Sequence, residues 1–226
     1  MRTGPRPLVV LVPGLGLDAR AWRWVWPLLR GPSTVLTLPS MGRRAPTGAD
    51  LGVPVLAREL ASMLPEPAGP AEPAGLVLVG HSASCQVVVA AAAHLPGVRG
   101  LVLVGPTTDP EAAAWPRMIA RWVRTARHER AWEPTVLAPQ YARTGIGSMV
   151  RGMDRVREHR VDLALASLPA PVQVVRGEHD VIADARWCDL LARRGGGTLT
   201  TVAGAAHMVP LTHPGAVADA VAAVTG

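Results

Sequence analysis

Ser82, Asp180 and His207 are the side chains whose types and neighbours suit nucleophilic chemistry. Ser82 is the centre of Gly80-His81-Ser82-Ala83-Ser84, between four apolar residues (76–79) and an almost wholly apolar segment (85–93). Strand, sharp turn and helix with a serine at the apex is the layout of a nucleophile elbow. Strand and helix approach closely there, so the residues two before and two after the serine must be small. Gly80 meets that demand in full and Ser84 only approximately. Taken alone, the five residues are read equally well as a loop in which Ser82 caps a helix. A serine hydroxyl is a poor nucleophile at neutral pH. It needs a base within about 3 Å and a carboxylate that holds the base in the right tautomer. His207 offers the base and Asp180 the carboxylate. The tetrahedral intermediate needs two donors for its oxyanion. The backbone N–H of Ala83 opens the elbow helix, where such groups lack a helical partner. The N–H of Leu15 sits in the glycine-rich turn 13–16.

The elements that must bring these groups together alternate along the chain. Apolar runs at 7–12, 33–38, 76–79, 100–104, 172–176 and 198–202 read as strands. Helices are expected over 19–29, capped by Asp18, and over 53–63, 85–93, 184–193, capped by Asp184, and 214–224. Residues 65–75, rich in Pro and Gly, read as a connection. This alternation predicts an α/β fold with a doubly wound, mostly parallel sheet. Ligands of such sheets sit beyond the carboxyl ends of the strands. Ser82, Asp180 and His207 each follow a strand end, so they are expected to converge on one edge. The alternation stops from 107 to 168, where helical patterns run over 112–131 and 146–168, the second with room for a break. The expectation is a core of residues 1–106 and 169–226 with a helical lid inserted at 107–168. Trp22 and Trp26 share a face of the first helix and Trp24 lies off it; core packing accounts for them more simply than substrate contact. Arg117, Arg121, Arg124 and Arg127 fall at helical spacing away from the apolar face, which reads as a solvated surface rather than an anion site.

Composition narrows the classes. A chain of 226 residues, 49% apolar, is long enough for one domain with a full core. No apolar run approaches the roughly 18 residues of a membrane span, and residues 1–7 lack the apolar core of a secretion signal. Cys85 and Cys188 read as buried thiols rather than a disulfide, which fits a cytoplasmic location. The net charge of +6 comes with no Lys, Asn or Phe, so every basic residue is Arg. That pattern reflects a GC-rich coding bias, and with no basic stripe interleaved with aromatics it does not point to nucleic acid. No metal-ligand spacing is present, so neither metal nor cofactor is expected. Asp109, after the strand end at Gly105-Pro106, is the alternative acid, and Asp184 is better explained as a cap. His81 and His179 read as neighbours of the reacting groups, and His94, His128, His159 and His213 belong to no constellation.

Together, Pro13-Gly14-Leu15-Gly16, Leu38-Pro39-Ser40-Met41-Gly42-Arg43, the Gly80–Ser84 elbow, Gly177-Glu178-His179-Asp180 and Ala206-His207 resemble the α/β-hydrolase superfamily over nearly the whole chain. The resemblance implies an eight-stranded type of sheet, here lacking its first two strands, with a lid after the sixth. It also implies Ser82, Asp180 and His207 as a catalytic triad. Three departures stand out: Pro13 in place of His, Ser84 in place of Gly, and Thr37 and Ser40 in place of Asp and Gly. A serine at the elbow argues against dehalogenase and epoxide-hydrolase chemistry, which look for aspartate there. The expected function is a bacterial serine hydrolase that cleaves a small, largely apolar ester, thioester or lactone through an acyl-enzyme. Its rivals are a lyase, acyl transferase or cyclase of a natural-product pathway using the same site, and a binding protein that has lost turnover. The expected partner is a small acyl substrate, with no nucleic acid and no membrane; the sequence leaves the oligomeric state open.

Overall fold

The computed structural model describes residues 6–64 and 75–225. The strands in chain order are β1 (Leu8–Val12), β2 (Ser33–Val35), β3 (Leu38–Pro39), β4 (Gly42–Arg43), β5 (Leu76–His81), β6 (Val98–Val104), β7 (Val172–Gly177) and β8 (Thr198–Val202). Short β3 and β4 pair with each other, and the other six form one parallel sheet in the order β2-β1-β5-β6-β7-β8. The chain winds outward from β1 to β2, then returns and winds the other way from β5 to β8. The reversal lies between β1 and β5, the position where open parallel sheets leave a crevice at their carboxyl ends. In register, Val12 of β1 stands beside Gly80 of β5, so the turn after β1 and the loop after β5 emerge side by side.

The strands are apolar on both faces because both faces are covered. Val10, Leu78, Leu101, Leu103 and Val174 point into one core; Val9, Leu11, Val77, Val102 and Val175 point into the other. The helices are α1 (Val53–Ser62), α2 (Ser84–Ala92), α3 (Trp115–Ala126), α4 (Glu133–Thr144), α5 (Ile146–Val156), α6 (Val161–Leu165), α7 (Ala185–Arg194), α8 (Val209–Thr212) and α9 (Pro214–Thr225). The first core takes Leu56 and Leu60 of α1, Val88 of α2 and Leu191 of α7. The second takes Trp22 together with Val217, Val221 and Val224 of α9. The α/β expectation therefore holds, with helices on both sides of the sheet. Among the described residues no helix is long and apolar enough to cross a membrane.

Several boundaries differ from expectation. Residues 19–29 are two short 3-10 turns, Ala19–Trp22 and Trp26–Leu28, rather than one helix. Pro27 has no N–H to continue a helical ladder. The shared face of Trp22 and Trp26 disappears with the helix: Trp22 is fully buried, whereas Trp24 and Trp26 are 36% and 43% exposed. Between β6 and β7 the expected 112–131 helix is α3 alone, which starts late because Pro116 occupies its first turn. Helix α4 was not anticipated, since Pro134 and Pro139 mask it. The 146–168 segment breaks into α5 and α6. The expected connection at 65–75 lies, except for Gly75, outside the described residues, as do residues 1–5.

Candidate active site

Ser82 follows β5 with φ at +56°, a left-handed backbone that non-glycine residues seldom adopt. Its amide is held by the Val104 carbonyl at 2.8 Å, which fixes the turn to the end of β6. Helix α2 departs so closely that a Cβ at Gly80 would lie 2.8 Å from the Cys85 Cα. Ser84, where the family pattern has glycine, uses its hydroxyl. The His81 amide donates to Ser84 Oγ at 2.8 Å, and the hydroxyl lies 2.8 Å from the Val12 carbonyl and 2.9 Å from that of His81. The departure thus ties β1 to the elbow. Ser84→Ala is expected to leave the buried His81 amide without its acceptor and to cost about 1–3 kcal/mol, read as a lower urea midpoint with an unchanged slope.

Asp180 and His207 meet at the ends of β7 and β8. His207 Nδ1 donates to Asp180 Oδ2 at 2.7 Å, and Asp180 is fully buried. The other carboxylate oxygen accepts from the amides of Ile182 (2.9 Å) and Ala183 (3.1 Å). Burial would push Asp180 up, but the charge and hydrogen bond of His207 and these two amides outweigh it and hold the carboxyl below its usual range. Burial would likewise push His207 down; the charge and hydrogen bond of Asp180, with Glu129 and Glu133 beyond, leave it above the usual imidazole range. Arg176 on β7 holds the loop that carries Asp180. Its guanidinium donates to the carbonyls of Ala183 (3.0 Å), Glu178 (3.2 Å) and Asp180 (2.8 Å). Sequence reasoning passed over Arg176, although a charged residue inside an apolar strand was the available signal.

The His207 loop crosses the end of β7 at Gly177. A Cβ there would lie 2.1 Å from the Ala206 carbonyl oxygen and 2.5 Å from that of Ala205. Gly177→Ala is therefore expected to push this loop away, with roughly 1–3 kcal/mol lost in thermal unfolding and a larger proportional loss of activity, because His207 is the next residue.

His81 lies under His207, with ring centroids 5.0 Å apart, and its Nε2 is 3.2 Å from the His207 carbonyl oxygen. Burial, and then the neighbouring His207, push the His81 pKa down to about 3, so it stays neutral. Ser82 and His207 both line one cavity. No hydrogen bond joins them in this structure, and such bonds often form only once substrate is in place. Gly14 packs against the elbow, so that a Cβ on it would lie 3.2 Å from Ser82 Cβ. Next to it, the Leu15 amide donates to no acceptor among the described residues, although the Gly16 and Leu17 amides that follow it are taken up; the Ala83 amide has no acceptor among them either. The cavity measures about 340 Å³, at the lower end of the roughly 300–1,000 Å³ typical of small-molecule sites. Apart from His81, Ser82, His207 and Tyr141, its wall is Leu, Trp, Met, Ile and Val from the turn after β1, helices α3 and α5, and Met208.

The alternative acid, Asp109, is engaged elsewhere. Its Oδ2 pairs with Arg121 at 2.7 Å and its Oδ1 caps the turn at Glu111. Arg121 is therefore not part of a purely solvated face. His179 stacks on His128 at 4.4 Å, and Asp184 caps α7 as expected. Cys85 and Cys188 are free and buried. Among the described residues no cluster of three or more His, Cys, Asp or Glu could hold a metal ion.

No curated protein sequence matches this chain. Solved structures do. A lipase-esterase related protein from Clostridium acetobutylicum ATCC 824 is similar with a TM-score of 0.79 at 12% identity, covering 97% of this chain and 95% of that one. A hydrolase from Pseudomonas aeruginosa PA01 gives 0.71 at 21% identity, covering 99% and 92%. Est816, described as an N-acyl homoserine lactone degrading enzyme, gives 0.73 at 17% identity, covering 97% and 93%. At these identities the likeness is one of fold. The model of the alpha/beta hydrolase family matches residues 9–220. The chain belongs to the alpha/beta hydrolase family and is a hydrolase.

Proposed function

We propose that this hydrolase is a serine esterase of small, largely apolar esters, thioesters or lactones. The observation that carries the reading is the Asp180–His207 pair, closed at 2.7 Å, whose His207 lines the cavity that the strained Ser82 also lines. In the proposed reaction Ser82 Oγ attacks the substrate carbonyl carbon while its proton passes to His207 Nε2. The amides of Leu15 and Ala83 receive the negative oxygen. Collapse expels the alcohol, which takes the proton from His207, and leaves an acyl-serine. Water then attacks, giving its proton to His207, and the acid departs as Ser82 recovers a proton. Asp180 keeps His207 in the tautomer with its proton on Nδ1 and stabilises the imidazolium.

Residues 107–168, which carry helices α3 to α6, serve as the lid. Ile119, Trp122, Ile146 and Val150 line the cavity and are 48–64% exposed, so an apolar acyl chain would cover surface that now faces water. The two buried free thiols suit a reducing compartment such as the cytoplasm. The test is hydrolysis of p-nitrophenyl butanoate, octanoate and dodecanoate in water labelled with heavy oxygen. The expected product is free acid carrying one labelled oxygen. Unlabelled acyl product on an added alcohol would assign acyl transfer instead, and release of no nitrophenol would remove the esterase reading.

A further inference from the structure

Among the described residues, the large cavity has one polar side chain that the proposed relay leaves unused. Of its polar lining residues, Ser82 and His207 belong to the relay. His81 has Nε2 at the His207 carbonyl and Nδ1 sealed from solvent. The remaining one is Tyr141 of α4. Its hydroxyl makes no hydrogen bond among the described residues, yet it is not sealed as Trp22 Nε1 and Thr107 Oγ1 are. It therefore keeps surface that a ligand can reach. We propose that Tyr141 determines specificity by donating a hydrogen bond to a second, uncharged oxygen carried by the leaving group of the substrate. This inference rests on the esterase reading and adds to it the chemistry of the departing alcohol.

Tyr141 stands on the His207 side of the cavity. A Cβ on Gly16 would lie 2.7 Å from Tyr141 Cδ1, so the ring covers the turn after β1. It packs on the small core that contains Leu17 and Met208. Met208 follows His207 in the chain and, like Leu17, lines the cavity. Glu129 and Glu133 act on both the phenol and His207. In the proposed reaction His207 gives its proton to the departing oxygen, so the wall that continues from His207 through Met208 to Tyr141 meets the leaving group. The acyl chain is left the exposed walls of α3 and α5. The chemistry of this corner selects the ligand. Burial, and then Glu129 and Glu133, push the Tyr141 pKa up, so the phenol keeps its proton and can donate it. The same two carboxyl groups disfavour an anion, which leaves an ether, hydroxyl or amide oxygen as the acceptor. In a mostly apolar pocket a single placed donor fixes orientation, and a substrate without the acceptor leaves that donor unpaired.

The experiment compares 2-methoxyethyl octanoate with butyl octanoate, which have the same shape and differ by one oxygen in the leaving group, in the wild-type chain and in Tyr141→Phe. Phenylalanine keeps the ring that packs on the Leu17 and Met208 core and removes only the hydroxyl. The kcat/KM of the ether ester relative to the butyl ester is expected to fall about threefold to tenfold in the variant, the worth of one net hydrogen bond. Intrinsic reactivity of the two esters is common to both proteins and cancels. A second pair, butyl 4-propoxybutanoate and butyl octanoate, places the extra oxygen in the acyl chain, and its ratio is expected to stay the same. A methoxyethyl ratio that does not change in Tyr141→Phe would overturn the inference, as would an equal slowing of all the esters, which marks a structural role. A fall of equal or greater size in the acyl pair would overturn the placement at the leaving group. In each of these cases hydrolysis itself leaves the esterase reading standing. Hydrolysis of none of the esters by the wild type overturns the esterase reading and this inference with it.

Discussion

Ser82→Ala is expected to lower the kcat for p-nitrophenyl octanoate by roughly 10³-fold to 10⁶-fold, the range set by residual transition-state binding once the nucleophile is gone. Stability should stay within about 0.5 kcal/mol, because Ser82 Oγ makes no hydrogen bond among the described residues. The backbone bonds that shape the turn, from Ser82 N to Val104 O and from Cys85 N to Ser82 O, do not involve the side chain. Alanine at a φ of +56° is no more strained than serine in any large measure, so the elbow should persist. Circular dichroism and thermal unfolding alongside the rate separate loss of chemistry from loss of fold. Activity within tenfold of wild type would remove Ser82 from the reaction.

Asp180→Asn is expected to cost about 10⁴-fold in kcat near neutral pH, the size seen when a triad carboxylate becomes an amide that no longer fixes the tautomer. The pH profile should also move, and its sign follows from the pKa directions. His207 must be neutral to accept the serine proton, so activity falls as pH drops through its pKa. In the wild type that pKa is above the usual range, despite burial, because of Asp180, Glu129 and Glu133. Without the Asp180 charge, burial pulls it down. The acidic limb of kcat/KM should therefore move to lower pH in the variant, with residual activity surviving into more acid buffer. Burial raises Glu133 to about 7, so its charge reaches His207 only above that pH. Glu133→Gln should shift the limb in the same direction by less. His81, neutral throughout, leaves His207 as the titrating imidazole next to Ser82. A limb that stays in place in both variants would mean that some other group sets it.

The sheet was legible because its signal is local. Runs such as Leu76–Val79 and Leu101–Val104 are too apolar for anything but a strand covered on both faces, and β5 and β6 are such strands. The candidate site was legible for a related reason: its residues follow strand ends, and a parallel sheet gathers those ends on one edge. What the chain does between β6 and β7 was less legible, because proline placement works against periodicity there. Pro116 delays α3, and Pro134 and Pro139 hide α4. Residues 19–29 show the opposite error, a helical spacing of tryptophans that Pro27 does not allow to become a helix.

The roles of the departures from the family pattern were not legible in the sequence. Ser84 looked like an imperfect glycine and proves to be a three-way hydrogen-bonding post. Ser40, standing where the family has glycine, keeps a glycine-like φ of +68° and reaches Ser148 of α5, its Oγ 2.9 Å from the Ser148 carbonyl oxygen. Both contacts span distant parts of the chain, which spacing cannot reveal.

The most direct test of the proposed relay is covalent. The folded protein is treated with an alkyl fluorophosphonate, whose phosphorus is attacked by an activated serine, and the digest is mapped by mass spectrometry. The account predicts a single phosphonyl adduct on Ser82, absent in Ser82→Ala and formed far more slowly in His207→Gln. An adduct on another residue, or an equal rate of labelling with His207 replaced, would contradict it.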